Sequence, residues 1–151
     1  MGKIVNPHQI REMFSGIISY KKQFEEIYVD LTISKLFRIK TAGRIDFGGS
    51  EFESGQLEPI PPVKLKPEDA YGWWELHEGY FLLEYNEKVS LPNTLIAFLQ
   101  PHPHLTSTGC VHPSLAVHSV NEELKVPLWV PKLGVKIKQN ARISRMIIIE
   151  L

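Results

Sequence analysis

Apolar and polar residues alternate along most of this chain, which is the pattern of β-strands with one face on a core. In the segment 28–39 the apolar positions Val29, Leu31 and Ile33 alternate with polar ones. Further strands are predicted at 73–76, 79–85, 94–99, 125–130, 135–138 and 142–151, separated mainly by proline, glycine and asparagine. Short strands at this spacing predict an all-β sandwich or barrel rather than a parallel sheet.

Near the start of the chain, the spacing of apolar residues is that of a helix. Asn6 can cap a helix N-terminus, Pro7 suits the first helical position, and Gly16 allows the left-handed backbone of a helix end. Between them, apolar residues recur on one helical face: Ile10, Met13 and Phe14. One short helix is therefore predicted at about 7–15.

Two other segments bear on the organisation of the fold. Residues 43–67 are rich in glycine and proline and are predicted to form a loop-rich arm or flap. The last strand is apolar on both faces at residues 146–149, and burial at a subunit interface would cover the second face. The sequence therefore predicts one domain, 1–151, that associates with copies of itself.

Composition narrows the classes of protein and partner. A length of 151 residues suits a single domain with its own core. Seventeen basic and seventeen acidic residues cancel, so neither nucleic acid nor a membrane surface is expected as a partner. Cys110 is the only cysteine, which fits a reducing compartment, and no apolar run approaches the ~18 residues of a membrane span. We expect a soluble, cytoplasmic protein.

Three segments together resemble one known family. Residues 28–33 form a strand, Tyr-Val-Asp-Leu-Thr-Ile, that follows the predicted helix. Residues 84–92 form a strand and turn before a polar loop, and residues 135–145 form a hairpin. In this order and spacing they are similar to the dCTP deaminase and dUTPase superfamily. The resemblance implies a homotrimer of distorted jelly-roll β-barrels, with sites for deoxypyrimidine nucleotides lined by more than one subunit.

The polar loop departs from the signature of that family. Where the family has Arg-Ser-Ser, this chain has His102, Pro103 and His104, and Ser107 stands at a second arginine position. Arginine offers phosphate a rigid bidentate fork that neither histidine nor proline replaces. The resemblance therefore implies nucleotide contacts at His102, His104 and Ser107, with a weakened grip on phosphate.

Other family positions are also changed. In the family alignment, His118 lies close to the position of the water-activating aspartate of dUTPases. In an active enzyme it would therefore be the general base. Asp30 keeps a family residue and could be structural, and we expect no counterpart after Leu151 of the family's tail that closes over the triphosphate. The remaining candidates for nucleotide contact are Asn121, Arg142 and Arg145, the last in place of a glutamine; the two arginines could equally meet a partner subunit's carboxylates.

The histidines and tryptophans allow more than one interpretation. His102, His104 and His112 could bind zinc or another transition ion, because a His-x-His pair on a strand directs both rings to one face. They could equally be loop and interface residues bonded to the backbone. Trp73 and Trp74 could stack a nucleobase, or pack in the core and at an interface.

Three functions stay open at this point. The first is a dUTP diphosphatase or dCTP deaminase with a rebuilt site, in which Mg²⁺ would neutralise the triphosphate if the protein is active. The second is a non-catalytic nucleotide-binding regulator or trimeric scaffold. The third is a β-barrel that binds metal through its histidines. The changed signature positions predict weak or absent catalysis within deoxypyrimidine nucleotide metabolism.

Overall fold

A computed structural model describes residues 2–151 of the chain as a predominantly β structure. The strands of this part of the chain are β1 (Lys3–Ile4), β2 (Phe14–Ser15), β3 (Val29–Ile39), β4 (Leu57–Pro59), β5 (Trp73–Leu76), β6 (Gly79–Tyr85), β7 (Lys88–Ser90), β8 (Leu95–Pro101), β9 (Leu115–Val117), β10 (Ser119–Val120), β11 (Val126–Val130), β12 (Val135–Lys138) and β13 (Arg142–Glu150). No helix of residues 2–151 is long and apolar enough to cross a membrane.

The main sheet has the order β11–β6–β3–β13–β8–β9, with β1 paired to β13 and β4 paired to β3. Neighbouring strands are antiparallel, and the sheet curls into a half-barrel. Two small antiparallel sheets, β10–β7–β2 and β12–β5, complete the architecture. The predicted all-β fold is confirmed.

The core lies inside the curled main sheet and is formed by alternate residues of its strands. Leu31 and Ile33 of β3, Leu99 of β8, and Met146 and Ile148 of β13 are almost completely buried. The polar face of β3 differs from its prediction, because Asp30 and Thr32 are buried as well. This strand is therefore covered on both faces, and its polar side chains must find partners inside the protein.

The last strand lies inside the main sheet and not at its edge. β13 pairs with β8 on one side, and with β3 and then β1 on the other. Ile147 and Ile149, on its outer face, are only half-buried. β13 therefore has a second apolar face, as predicted, although its backbone groups are paired with neighbouring strands.

The predicted opening helix is a 3-10 helix over Pro7–Met13, kinked at Ile10, rather than a helix over 7–15. Its cap is confirmed, since the Asn6 side chain accepts the His8 N–H at 3.0 Å. The chain has turned into β2 before Gly16, whose φ of 75° supplies a turn rather than the helix end.

Two short helices were not predicted, so the prediction of a single helix is wrong. Helix α1 (Tyr20–Gln23) begins after Ser19, which accepts the Lys22 N–H. Helix α2 (Pro103–Ser107) begins after His102, with Pro103 at its first position. The polar loop that takes the place of the family's Arg-Ser-Ser signature is therefore one helical turn that follows β8.

Candidate functional site

A buried carboxylate organises the end of the sheet where β3, β13 and β8 meet. Asp30 is 1% exposed and lies opposite Arg145 in the register of β3 with β13. Arg145 Nε donates to Asp30 Oδ1 at 3.0 Å, and Arg142 Nη1 lies 3.4 Å from Oδ2. The guanidinium of Arg145 also stacks on the Tyr28 ring at 4.0 Å. Two arginines on one aspartate leave a net positive charge at this end of the sheet.

His102 lies against the same aspartate and positions α2. Its Nδ1 accepts the His104 N–H at 3.0 Å, so a neutral ring carries its proton on Nε2. Nε2 is 3.5 Å from Asp30 Oδ2, yet it has no hydrogen-bond partner in the described part of the chain. Burial is the main cause that lowers the pKa of His102, against the opposing effect of the Asp30 charge.

His112 belongs to a separate polar chain inside the barrel. Its Nδ1 faces the Pro113 carbonyl at 2.9 Å, which can only accept, so Nδ1 carries the proton and Nε2 accepts from the Ser144 hydroxyl at 2.9 Å. The Tyr85 hydroxyl then donates to Ser144 Oγ at 2.6 Å. Burial lowers the pKa of His112 and raises that of Tyr85, so both stay neutral.

Glu87 forms a second buried site that sequence reasoning missed. It is fully buried, and its carboxylate accepts the Thr32 N–H at 2.7 Å, the Thr32 hydroxyl at 2.5 Å and the Gln23 amide at 2.9 Å. Burial raises the pKa of its carboxyl despite these bonds. The sequence gives one indication of this site: Thr32 is a polar residue on the face of β3 opposite to its buried apolar face.

A cleft of about 210 Å³ opens between α2, β12 and the start of β13, and we call it the His104 cleft. Its floor is apolar and includes Leu105 and Ile137, both buried. His104, Lys138 and Arg142 also line it, and Lys138 Nζ lies 5.7 Å from the centre of the Trp73 ring. An apolar floor beside several cationic groups suits a flat, anionic ligand.

The structure brings together only some of the residues predicted for the site. Asp30, His102, His104, Arg142 and Arg145 are grouped around the His104 cleft and the buried end of β3. Ser107 is exposed at the end of α2, where its hydroxyl donates to the Pro103 carbonyl. Lys138 was missed, although the alternation of Lys136 and Lys138 around Ile137 could have indicated it.

The remaining candidates lie elsewhere. His118 is exposed between β9 and β10, and Asn121 uses its side chain to accept the Glu123 N–H. His102 and His104 are neighbours, with ring centres 4.7 Å apart, but His112 faces Ser144. Among residues 2–151 no three His, Cys, Asp or Glu side chains converge as metal ligands. The grouping of His102, His104 and His112 into one metal site is therefore corrected.

Acid is expected to destabilise the fold through His102 and His112. Both have folded-state pKa values below the ordinary 6.5, so their neutral forms stabilise the protein above pH 6.5 and this stabilisation is lost as pH falls through the lowered values. The melting temperature should fall between pH 7 and pH 5, and less steeply in His112→Gln, which cannot ionise. His77→Gln at an exposed position is the matched control. An unchanged slope in His112→Gln would contradict the assignment.

The chain is similar in sequence to curated proteins. No protein-family model matches the chain. A relative from Methanosarcina mazei, named "Probable deoxyuridine 5'-triphosphate nucleotidohydrolase", is 26% identical over 138 residues, which cover 89% of this chain and 77% of the relative. A relative of the same name from Archaeoglobus fulgidus is 25% identical over 137 residues, covering 89% and 76%.

The solved structures give the class of fold. The crystal structure of 2'-deoxycytidine 5'-triphosphate deaminase from Agrobacterium tumefaciens matches 99% of this chain with a TM-score of 0.67 at 10% sequence identity. This chain spans about half of that deaminase, since the match covers 49% of it. The fold is therefore the dUTPase-like barrel of such enzymes. Taken with the curated relatives, it makes this chain similar to the dCTP deaminase and dUTPase superfamily in both fold and sequence.

Proposed function

We propose that this protein binds a deoxypyrimidine nucleotide in the His104 cleft and turns it over slowly or not at all. The observation that carries the proposal is the combination of an apolar floor with His104, Lys138 and Arg142 at one cleft. The base would lie against Trp73 and the phosphates against the cations. The names of the two archaeal relatives support a deoxyuridine nucleotide as the first ligand to test.

Weak catalysis is proposed because the changed residues are already engaged in structural roles. His102 is buried and caps α2, and Pro103 has no N–H to donate. Arg145 is bonded to Asp30, so its guanidinium is only partly available to a phosphate. His118, the candidate base, does not line the His104 cleft. If turnover does occur, Mg²⁺ would be its expected cofactor, since it neutralises the triphosphate.

We further propose a homotrimer, with the outer face of β8 and β13 as one candidate surface. Ile147 lies opposite Phe98 and Ile149 opposite Ile96 in the pairing of these strands. All four are half-buried, so together they offer an apolar face to a second copy. A regulator or scaffold needs this assembly and the nucleotide but no turnover, which makes it the second candidate function.

The test of the proposed function combines binding with turnover. Isothermal titration of dUTP should show binding that weakens about tenfold in Lys138→Met, equal to ~1.4 kcal/mol, because a charge-assisted contact is lost. Lys132→Met, at an exposed lysine outside the cleft, should bind as the wild type does. Hydrolysis of dUTP and deamination of dCTP, each with Mg²⁺, should stay below about 1 per second.

The outcomes separate the candidate functions. Binding without turnover supports the regulator, whereas turnover faster than about 1 per second shows a rebuilt catalytic site. Absence of binding by dUTP, dCTP and their monophosphates would exclude the proposal and leave a scaffold. Equal losses of dUTP affinity in Lys138→Met and Lys132→Met would show that the ligand binds outside the His104 cleft.

A further inference from the structure

The two oxygens of the buried Asp30 carboxylate are held unequally. Oδ1 accepts Arg145 Nε at 3.0 Å, which is an ordinary hydrogen-bond distance. Oδ2 has two longer contacts, with Arg142 Nη1 at 3.4 Å and with His102 Nε2 at 3.5 Å. Both exceed the usual limit of about 3.2 Å for an N–H···O bond. Oδ2 is therefore shared by two donors, neither of which is bound closely.

Arg142 is the less firmly held of the two arginines. Its Nη1 lies 3.3 Å from the Lys22 carbonyl and 3.4 Å from the carboxylate, and its side chain is 41% exposed. Arg145 makes the shorter bond, stacks on the Tyr28 ring at 4.0 Å and is 28% exposed. Arg142 also lines the His104 cleft, whereas Arg145 does not. An anion in this cleft would therefore attract Arg142 away from the carboxylate.

The ring of His102 holds a donor with no acceptor at bonding distance. The residue is 2% exposed, and its backbone N–H donates to the Ile143 carbonyl at 3.0 Å, so its main chain is fixed to β13. Because Nδ1 accepts the His104 N–H, the proton of the neutral ring is on Nε2. Among residues 2–151 this Nε2 has no hydrogen-bond partner, and Asp30 Oδ2 is 3.5 Å away. An unpaired buried N–H is unfavourable, so a small ring movement that closes this distance is favoured.

We propose that His102 is a positioning residue that releases Arg142 to an anion in the His104 cleft by taking its place on Asp30. When Arg142 turns to the anion, a buried carboxylate loses a partner, which is unfavourable in the protein interior. The Nε2–H of His102 then closes on Oδ2 and replaces the lost contact, while Arg145 stays on Oδ1. The exchange therefore makes it easier for Arg142 to leave.

The ligand of this exchange is a phosphate or pyrophosphate group. His104 and Lys138 line the same cleft as Arg142, so the anion meets further donors there. The inference rests on the proposed function in one respect, since the anion is taken to be the phosphate of the nucleotide. The exchange itself does not involve the base, so inorganic pyrophosphate serves as a probe beside dUTP.

The first test observes the His102 ring by NMR in protein with isotope-labelled histidine and without any ligand. Arg142→Ala removes one of the two donors on Asp30 Oδ2, so the Nε2–H resonance should move downfield and exchange more slowly with water. Lys138→Met is the matched control, because Lys138 lines the cleft but is not a partner of Asp30. His112, whose ring is bonded to a backbone carbonyl, is the internal reference. An unchanged His102 resonance in Arg142→Ala overturns the proposal.

The second test separates the two roles of His102. In His102→Asn the side-chain oxygen takes the position of Nδ1 and keeps the cap of α2, but no atom reaches the position of Nε2. Calorimetric titration of pyrophosphate and of dUTP should show affinities lower by about fivefold or more in this variant, as for a modest coupling between sites. His77→Asn, at an exposed position outside the cleft, should bind as the wild type does.

A double variant shows whether the effect passes through Asp30. In Asp30→Ala the acceptor is gone, so adding His102→Asn should cause no further loss of affinity. The same loss in both backgrounds, or no loss in His102→Asn alone, overturns the exchange and leaves the proposed function intact. If pyrophosphate binds as expected and dUTP does not, the proposed function fails and the exchange is supported. If neither ligand binds to the wild type, both proposals fail.

Discussion

Replacing Glu87 with alanine is expected to lower the free energy of unfolding by about 3–5 kcal/mol. The fully buried carboxylate accepts the Thr32 N–H and the Gln23 amide, and alanine would leave both donors without a partner in the interior. Each such group costs about 1–3 kcal/mol, and a cavity adds to the loss. Equilibrium unfolding in urea measures the difference.

Glu78→Ala is the matched control, because Glu78 is exposed, and its effect should stay within about 0.5 kcal/mol. A similarly small effect of Glu87→Ala would mean that water or repacking replaces the carboxylate. Such a result would make the interior around β3 more adaptable than its hydrogen bonds indicate.

Glu87 should also give the protein an unusual dependence on pH. Burial raises the pKa of its carboxyl above the ordinary 4.5. A group of this kind stabilises the fold below pH 4.5, and the stabilisation is lost as pH rises through the raised value. The effect opposes that of His102 and His112, whose stabilisation is lost on acidification. Glu87→Gln cannot ionise and should isolate the histidine contribution in the same unfolding experiment.

Replacing Asp30 with alanine is expected to cost about 2–4 kcal/mol. Its carboxylate is the shared acceptor for Arg145 and the counter-charge for Arg142, and both arginines would be left beside each other. The cost lies below that of a completely buried ion pair, because the arginine side chains are 28% and 41% exposed and can turn to water.

The same substitution should have the opposite effect on anion binding. With Asp30 removed, Arg142 and Arg145 present two uncompensated charges next to the His104 cleft, so dUTP should bind more tightly to the folded variant. Asp30→Asn keeps the shape and serves as the control for packing. Urea unfolding measures the loss of stability, and calorimetric titration measures the affinity for dUTP. Weaker dUTP binding in both variants would show that Asp30 orients the arginines for the ligand instead of competing with it.

Strands of four residues or more could be predicted from the alternation of their side chains. β5, β6 and β12 have their predicted bounds, and Gly72, Gly79 and Gly134 lie at or next to their first residues. Strands of two or three residues, such as β2 and β10, are too short to show a period and were missed. Helix α2 was missed because His102 and His104 were considered as a His-x-His pair on a strand, whereas Pro103 between them occupies the first position of a helix.

The site was predictable only where a family position could be matched. The resemblance indicated Asp30, His102, His104, Arg142 and Arg145, and these residues do lie together. The resemblance could not indicate that Arg142 and Arg145 pair with a carboxylate of their own chain, because this pairing depends on the register of β13 against β3. Nor could periodicity reveal Glu87, since a polar residue after a strand is ordinarily solvated.

The central position of β13 has a consequence for biosynthesis. Residues 142–150 are translated after every other strand, yet they lie between β3 and β8. Until they leave the ribosome, the main sheet exists at most as two separate pieces, β11–β6–β3 and β8–β9, each with an open edge. The main sheet can therefore close only after β13 has been synthesised, and until then both edges are open to incorrect pairing.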